Sequence, residues 1–294
     1  GLWHLDFHHC SLRVIDTQGQ WHTPIALCII DDCSRLCCHI QWYFNETAEV
    51  LQHGLVQAFH KRGLPRSLMT DNGPAMLAHE TRNGLLLSSI EHKKTLPYSP
   101  YQNGKQESFW GQLEGRMIAM LSRVKSLSLE NLNYATQAWV EIEYNRAWHD
   151  EIKCSPVDRV LSGHDISRPS HDSEKSNFIF TIHETRTQRQ SDGTIQVKGV
   201  RFEVPSRFNH LRRLSIRYQS WDLSQIWLVD QLTGDKLALI YPQDKTKNNN
   251  GQRRTRKPTS KDCESEEKGA KDEYPPLMRK LLENYAATGL PPAY

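Results

Sequence analysis

The chain opens on alternating apolar and polar side chains. Over Leu2–His8, Trp3, Leu5 and Phe7 share one face, and Leu2, His4, Asp6 and His8 share the other, which is the period of a strand. Two more β-prone runs follow, Ile25–Ile30 and Leu36–Phe44, joined by a turn at Asp31-Asp32-Cys33-Ser34. Residues 1–44 therefore predict three consecutive antiparallel strands. At Thr47–Arg62 the period changes to that of a helix, with Val50, Leu51, Leu55, Val56, Ala58 and Phe59 on one stripe and Gly63 and Pro65 as its stop. A short strand over Ser67–Thr70 ends at the turn signal Asp71-Asn72-Gly73-Pro74. A helix over Ala78–Ser89, a strand over Glu91–Leu96 and a loop over Pro97–Gly104 come next. Two long amphipathic helices, Lys105–Arg123 and Leu129–Trp148, complete the pattern. This order predicts an α/β fold in which a mixed five-stranded sheet is flanked by helices, over residues 1–169.

Residues 170–177 read as a polar linker. Residues 178–242 lose the helical period and show six β-prone runs separated by turn signals: Phe178–His183, Thr194–Val197, Val200–Val204, Arg213–Tyr218, Gln225–Val229 and Lys236–Tyr241. They predict a small all-β barrel or sandwich. Residues 243–272 are charged and of low complexity, the signature of disorder. Residues 273–294 form a tail with a short amphipathic helix over Leu277–Tyr285.

Charge sharpens this division. The total of 294 residues is only +3, yet residues 1–242 are neutral, with 26 basic and 26 acidic side chains, whereas residues 243–261 carry seven basic residues and one acid. A basic arm followed by an acidic tail suits interaction rather than a uniformly charged body. The seven cysteines are scattered without a CxxC pair, which argues against a thiolate zinc site and predicts reduced, buried thiols in a cytosolic protein. No apolar run is long enough for a membrane span, and no signal-peptide pattern precedes the first strand, whose neighbour Gly1 is not a methionine.

Three acids stand out by position. Asp6 lies mid-strand among apolar neighbours, Asp71 ends the fourth strand, and Glu107 lies in the first turns of the helix after the fifth. Taken singly, Asp71 reads as a turn residue and Glu107 as a helix-start acid favoured by the dipole. Together they fall where strands one and four can be neighbours. Converging carboxylates repel unless a cation neutralises them, and hard divalent ions bind oxygen ligands. A pair of such ions serves in-line phosphoryl displacement without a side-chain nucleophile, and no Ser-His-Asp or Cys-His signature competes with that reading.

Local words carry a resemblance. Thr70-Asp71-Asn72-Gly73-Pro74, then Ser99-Pro100-Tyr101-Gln102-Asn103-Gly104-Lys105-Gln106-Glu107-Ser108-Phe109-Trp110, with Asp31-Asp32-Cys33-Ser34-Arg35 and Tyr144-Asn145-Arg146, resemble the retroviral-integrase-type catalytic core of DDE transposases, which has the ribonuclease-H-like fold. Thirty-five residues separate Asp71 from Glu107, the separation typical of that family. Residues 178–242, through Asp192-Gly193-Thr194-Ile195, Val200–Pro205 and Trp221-Asp222-Leu223, resemble the C-terminal β-barrel of phage Mu-type transposases. The resemblance implies that Asp6, Asp71 and Glu107 are catalytic and ligate Mg²⁺ or Mn²⁺, two ions per site. It implies metal-dependent DNA strand cleavage, then attack of the 3′-OH on target DNA, by a homo-oligomer assembled on DNA in the bacterial cytoplasm. It also implies contact of the C-terminal tail with an AAA+ ATPase. Full-length relatives carry recognition helices before the core, so the chain is expected to be a fragment or to work with a separate recognition subunit. A viral-type integrase and a catalytically idle, domesticated DNA-binding or assembly protein are the alternatives.

Further candidates follow from charge and place. Gln102, Asn103 and Lys105 precede Glu107, and the resemblance implies that they contact DNA rather than forming only an exposed loop. Arg213 in the barrel, and Arg253, Arg254, Arg256 and Lys257 in the basic arm, are expected to contact phosphates. His4 and His8 share the face of Asp6 and read either as strand histidines or as groups beside the metals. Arg35 reads as a structural ion pair.

Overall fold

The computed structural model describes residues 1–95, 103–164, 166, 168–172, 175, 178–243 and 274–289. The chain divides into two units, one made of Gly1–Ile179 with Lys268–Tyr294 and the other of Phe180–Glu267. Among the described residues no helix is long and apolar enough to cross a membrane.

The first unit is built on β1 (Leu2–His9), β4 (Ile25–Asp31), β5 (Cys37–Tyr43), β6 (Ser67–Thr70) and β7 (Glu91–Lys94), with a two-residue ribbon, β2 (Val14–Ile15) and β3 (Trp21–His22), beside them. The five-stranded sheet has the order β5-β4-β1-β6-β7. The first three strands are antiparallel, as adjacent hairpins must be, and β6 and β7 join parallel through helical crossovers. This is the mixed five-stranded sheet with flanking helices that the order of elements along the chain predicts. The ribbon went unpredicted because two-residue strands carry no readable period.

Helices cover both faces. On one, α1 (Ala48–Arg62) starts at Thr47, whose hydroxyl accepts from Val50 N, and ends at Gly63. It lies so close to β4 that a methyl group on Gly54 would meet Leu27 Cδ2 at 2.2 Å. Pro74, expected in a turn, opens the single-turn α2 (Pro74–Leu77), where a missing N–H costs nothing. α3 (His79–Leu87) follows.

The helix expected over Lys105–Arg123 is not uniformly α. It runs as α4 (Gly104–Gln112), a π-helical segment (Leu113–Ile118) and α5 (Ala119–Leu121). The wider turn brings both Met117 and Ile118 inward, where they join Leu113 and Leu121 in the core. The next helix, α6 (Leu129–Ile142), ends earlier than its apolar period suggests, because Tyr144 and Asn145 turn back onto β5 and its preceding turn. Asn133 Oδ1 accepts from Trp42 N at 2.7 Å while its Nδ2 donates to Trp42 O at 3.1 Å. Asn145 makes the same two-point pairing with Cys37, at 3.0 and 3.3 Å. These amides stand in for a neighbouring strand and close the edge of β5 to other chains. α7 (Pro156–Ser162) lies near the end of the contiguous part of the unit.

The tail helix, α8 (Pro276–Ala287), belongs to this unit. Met278, Leu281 and Tyr285 are buried in the same core cluster as α6, and the Tyr285 and Tyr134 rings meet edge-on at 5.6 Å. The stripe expected to reach an AAA+ ATPase is thus largely covered by the chain's own first unit.

The second unit holds β8 (Ile182–Thr187), β9 (Thr194–Val197), β10 (Val200–Glu203), β11 (Arg213–Tyr218), β12 (Ile226–Val229) and β13 (Lys236–Ile240). A four-stranded sheet, β13-β12-β11-β8, and the β9-β10 hairpin enclose one core that includes Ile195, Phe202, Leu214, Ile216, Tyr218 and Leu228. Backbone bridges from Arg189 to Thr194 and from Phe202 to Pro242 tie the hairpin to the ends of β8 and β13, so the sheet nearly closes on itself. β8 starts four residues later than its apolar run suggests. Its pairing with β11, Ile182 opposite Tyr218 through Thr187 opposite Arg213, decides the register, and Phe180 is buried ahead of it.

Candidate active site

Strand pairing brings two of the three acids together. β1 and β6 run parallel with Leu2 beside Ser67 and His4 beside Met69, so continuing that register by two residues sets Asp71 beside Asp6. Asp71 ends its strand in an Asx turn, its Oδ1 accepting from Gly73 N at 2.9 Å. A second carboxylate flanks the same glycine. A Cβ on Gly73 would stand 3.1 Å from Asp71 Oδ1 and 3.3 Å from Glu46 Oε1. Burial and the charge of Asp71 push Glu46 up. No signal in the sequence singles out Glu46, since it reaches the site only through the β5–α1 connection.

Asp6 feels the same field. Burial pushes its carboxyl up to about 6, the indole N–H of Trp110 opposes the shift, and the charge of Asp71 adds to it. Trp110 Nε1 donates to Asp6 Oδ2 at 3.0 Å. This bond belongs to a ladder. A strand advances ~6.6 Å in two residues and a helix ~6 Å in four, so β1 positions 4, 6 and 8 can keep step with helix positions 106, 110 and 114. They do. Gln106 Nε2 donates to His4 O at 3.0 Å, Trp110 holds Asp6, and His8 Nε2 lies 3.0 Å from Glu114 Oε1.

Glu107 does not join the pair. It is exposed on α4, one turn before Trp110, and follows residues 96–102, which lie outside the described set. Among the described residues no group of three His, Cys, Asp or Glu side chains is close enough to hold a metal. The carboxylates of Asp6, Asp71 and Glu46 nonetheless supply only hard oxygen donors, and among the described residues none of the three forms an ion pair with Lys or Arg. That donor set suits Mg²⁺ or Mn²⁺ rather than a thiolate-seeking ion.

The other candidates scatter. Lys105 pairs with Asp32, which also receives His4 Nε2 at 2.7 Å, so its ammonium is engaged within the protein. Burial pushes Asp32 up, but the bonds from Lys105 and His4 outweigh it and hold the carboxyl below its usual range. Burial lowers His4 against the pull of Asp32. Asn103 caps α4 without a side-chain bond to the helix. Arg213 is exposed at the start of β11, in the second unit. Arg35 pairs with Glu151, with Nε 3.2 Å from Oε2. Gln102, Arg253, Arg254, Arg256 and Lys257 lie outside the described residues. Trp110 falls on an apolar position of the amphipathic helix expected over Lys105–Arg123, which marks it as core and not as part of the site; its indole N–H is the part that no hydrophobic pattern reveals.

Residues 1–100 match the family described as Integrase core domain. That match lies within the first unit. The transposase for transposon Tn552 of Staphylococcus aureus is 22% identical over 251 residues, covering 76% of this chain and 50% of the relative. The putative transposase InsD for insertion element IS2E of Escherichia coli is 29% identical over 130 residues, covering 41% of this chain and 56% of the relative. The chain thus spans about half the length of these curated relatives. Among solved structures, the HTLV-2 integrase catalytic core domain in complex with magnesium is 18% identical, with a TM-score of 0.42, over 53% of this chain and 93% of that one.

Proposed function

We propose that this chain is a polynucleotidyl transferase of the DDE transposase type, cutting a DNA strand and joining its 3′-OH to target DNA. The observation that carries the reading is the register of β1 on β6, which sets Asp6 beside Asp71 at the sheet's carboxyl edge with no Lys or Arg to neutralise them among the described residues. Asp6 and Asp71 would hold Mg²⁺ or Mn²⁺, and Glu107 on α4 would complete the ligand set for a second ion. When bound, the ions supply Lewis acidity for the attacking and leaving oxygens of an in-line displacement. The chain's own part is to fix two carboxylates on adjacent parallel strands and to bring a third from a helix. Asn103 and Gln102 would position the DNA backbone beside Glu107, and Lys105 would do so by exchanging Asp32 for phosphate. Arg213 and the arm Arg253, Arg254, Arg256 and Lys257 would add sequence-independent phosphate contacts. The second unit is read as the Mu-type C-terminal barrel, and the working form as a homo-oligomer on DNA in the bacterial cytoplasm. An AAA+ ATPase would engage the exposed side of α8 or release the helix from α6.

The test is strand transfer by the full-length protein, with Mg²⁺, a labelled duplex carrying its element's terminal sequence and a supercoiled target plasmid. Joined product that requires Asp71 is the expected result. Tight DNA binding without cutting or joining would establish the idle, domesticated reading, which the exposed position of Glu107 favours.

A further inference from the structure

We propose that Trp110 is a positioning residue that orients the Asp6 carboxylate for a divalent cation, and that His8 and Glu114 hold Trp110 in place. The proposal rests on the reading above that the acidic edge takes such a cation.

The indole N–H reaches Asp6 Oδ2 at 3.0 Å from a ring that is itself buried. An indole N–H is a donor only, so it cannot flip into an acceptor or ligate the metal in place of the carboxylate. A carboxylate that accepts one N–H keeps further lone pairs for a cation. Asp6 therefore gains a fixed orientation and remains a ligand. Repulsion from neighbouring Asp71 would otherwise turn the short side chain away from the edge. Trp110 is fixed in turn. The His8 ring stacks on it at 4.7 Å with 16° between planes, and Phe109 meets it edge-on at 5.3 Å. His8 is anchored by Glu114 Oε1 at 3.0 Å, and that carboxylate also accepts from Ser11 N at 3.2 Å. Glu114 lies in the π-helical segment, whose wider turn sets where this side chain leaves the helix. The chain Ser11–Glu114–His8–Trp110–Asp6 thus ends on the one acid of the ladder that faces Asp71.

A large apolar ring would fill the core equally well, so packing alone does not explain the N–H. The same core cluster provides a control. Trp139 is fully buried there, and among the described residues its indole nitrogen has no hydrogen-bond partner. Mn²⁺ binding to the full-length protein, followed by titration calorimetry, separates the two roles. Trp110→Phe is expected to weaken Mn²⁺ binding by about 10-fold or more, the scale of lost partners behind metal ligands. Trp139→Phe should leave it within about 2-fold, and His8→Ala should weaken it by about 3-fold. Replacing Trp110 with benzothienylalanine, which carries sulfur in place of N–H, keeps the shape and must reproduce the loss even if the phenylalanine variant folds poorly. Unchanged affinity in the benzothienyl protein overturns the proposal, as does an equal loss in Trp139→Phe. In either case, loss of binding in Asp71→Asn would still uphold the metal reading. A wild-type protein that takes up no Mn²⁺ removes both.

Discussion

The polar face of β1 carries two acidic clusters that differ in counter-charge and in burial. At its start, Asp32 is met by His4 and Lys105 and sits below the usual carboxylate range. Two residues further along, Asp71 lies near Asp6 on one side and Glu46 on the other, with no Lys or Arg ion pair to any of them among the described residues, and Asp6 and Glu46 are pushed up. The two clusters share the face of one strand and its covering helix, but Asp6 is the more deeply buried of the two aspartates and Glu46 is exposed. Burial pushes Asp6 and Glu46 up, whereas at Asp32 a counter-charge that the protein itself supplies outweighs burial. A neutralised acid consolidates the fold, whereas an acid left for an external cation costs stability until that cation arrives.

The largest expected break is Asp71→Asn. Strand transfer should fall by ~10³-fold or more, about 4 kcal/mol of transition-state stabilisation, while the metal-free melting temperature stays equal or rises. A steep loss of melting temperature would instead assign Asp71 to its Asx turn. Glu107→Gln comes next. Because the side chain is exposed, thermal stability should not move, and a comparable loss of joined product would place its carboxylate with the pair during turnover. Activity retained within about 3-fold would mean that another acid, with Glu46 the nearest alternative, does that work.

The clusters should also titrate in opposite senses. The folded-state pKa of Asp6 stands at about 6 against an ordinary 3.8, so its contribution favours the fold at low pH and is lost as pH rises from about 4 to about 6. Asp32 is depressed, so its contribution is present above its unfolded pKa and is lost as pH falls below it. Urea unfolding without divalent ions should show Asp6→Asn removing a slope of up to ~1.4 kcal/mol per pH unit between those limits, with Asp32→Asn leaving that window unchanged. The smallest effect belongs to Lys105→Gln. The two side chains are 34% and 31% exposed, so solvent screens the pair and stability should change by no more than ~0.5 kcal/mol. A loss of several kcal/mol would show that the neutralised cluster is a buried keystone rather than a screened one.

Much of this layout is legible along the chain. The strands at 2–9, 25–31 and 37–43 and the helix from Ala48 follow their periods, and the acid at 6 stands out as a polar residue mid-strand that needs a reason, whereas the acid at 71 is marked only by its place at the end of a strand. Other features are not legible for identifiable reasons. A π turn keeps the same apolar composition as an α turn, so Leu113–Ile118 looks like any helix. The Met278–Leu281–Tyr285 stripe says that something covers it but not what, and α6 proves to be the partner. Glu46 carries no pattern at all, and the role of Trp110 depends on one polar atom of a residue that otherwise reads as core.

What the sequence determined by itself is the inventory and order of elements, because period and turn chemistry are local properties of neighbouring residues. It also determined which acids could matter, because an unpaired carboxylate in an apolar strand conflicts with its surroundings wherever the strand is placed. Only the tertiary structure decided which acids meet and which are neutralised. A parallel register between strands more than sixty residues apart, and a helix keeping step with a strand at four residues to two, are relations between distant segments that no local pattern encodes.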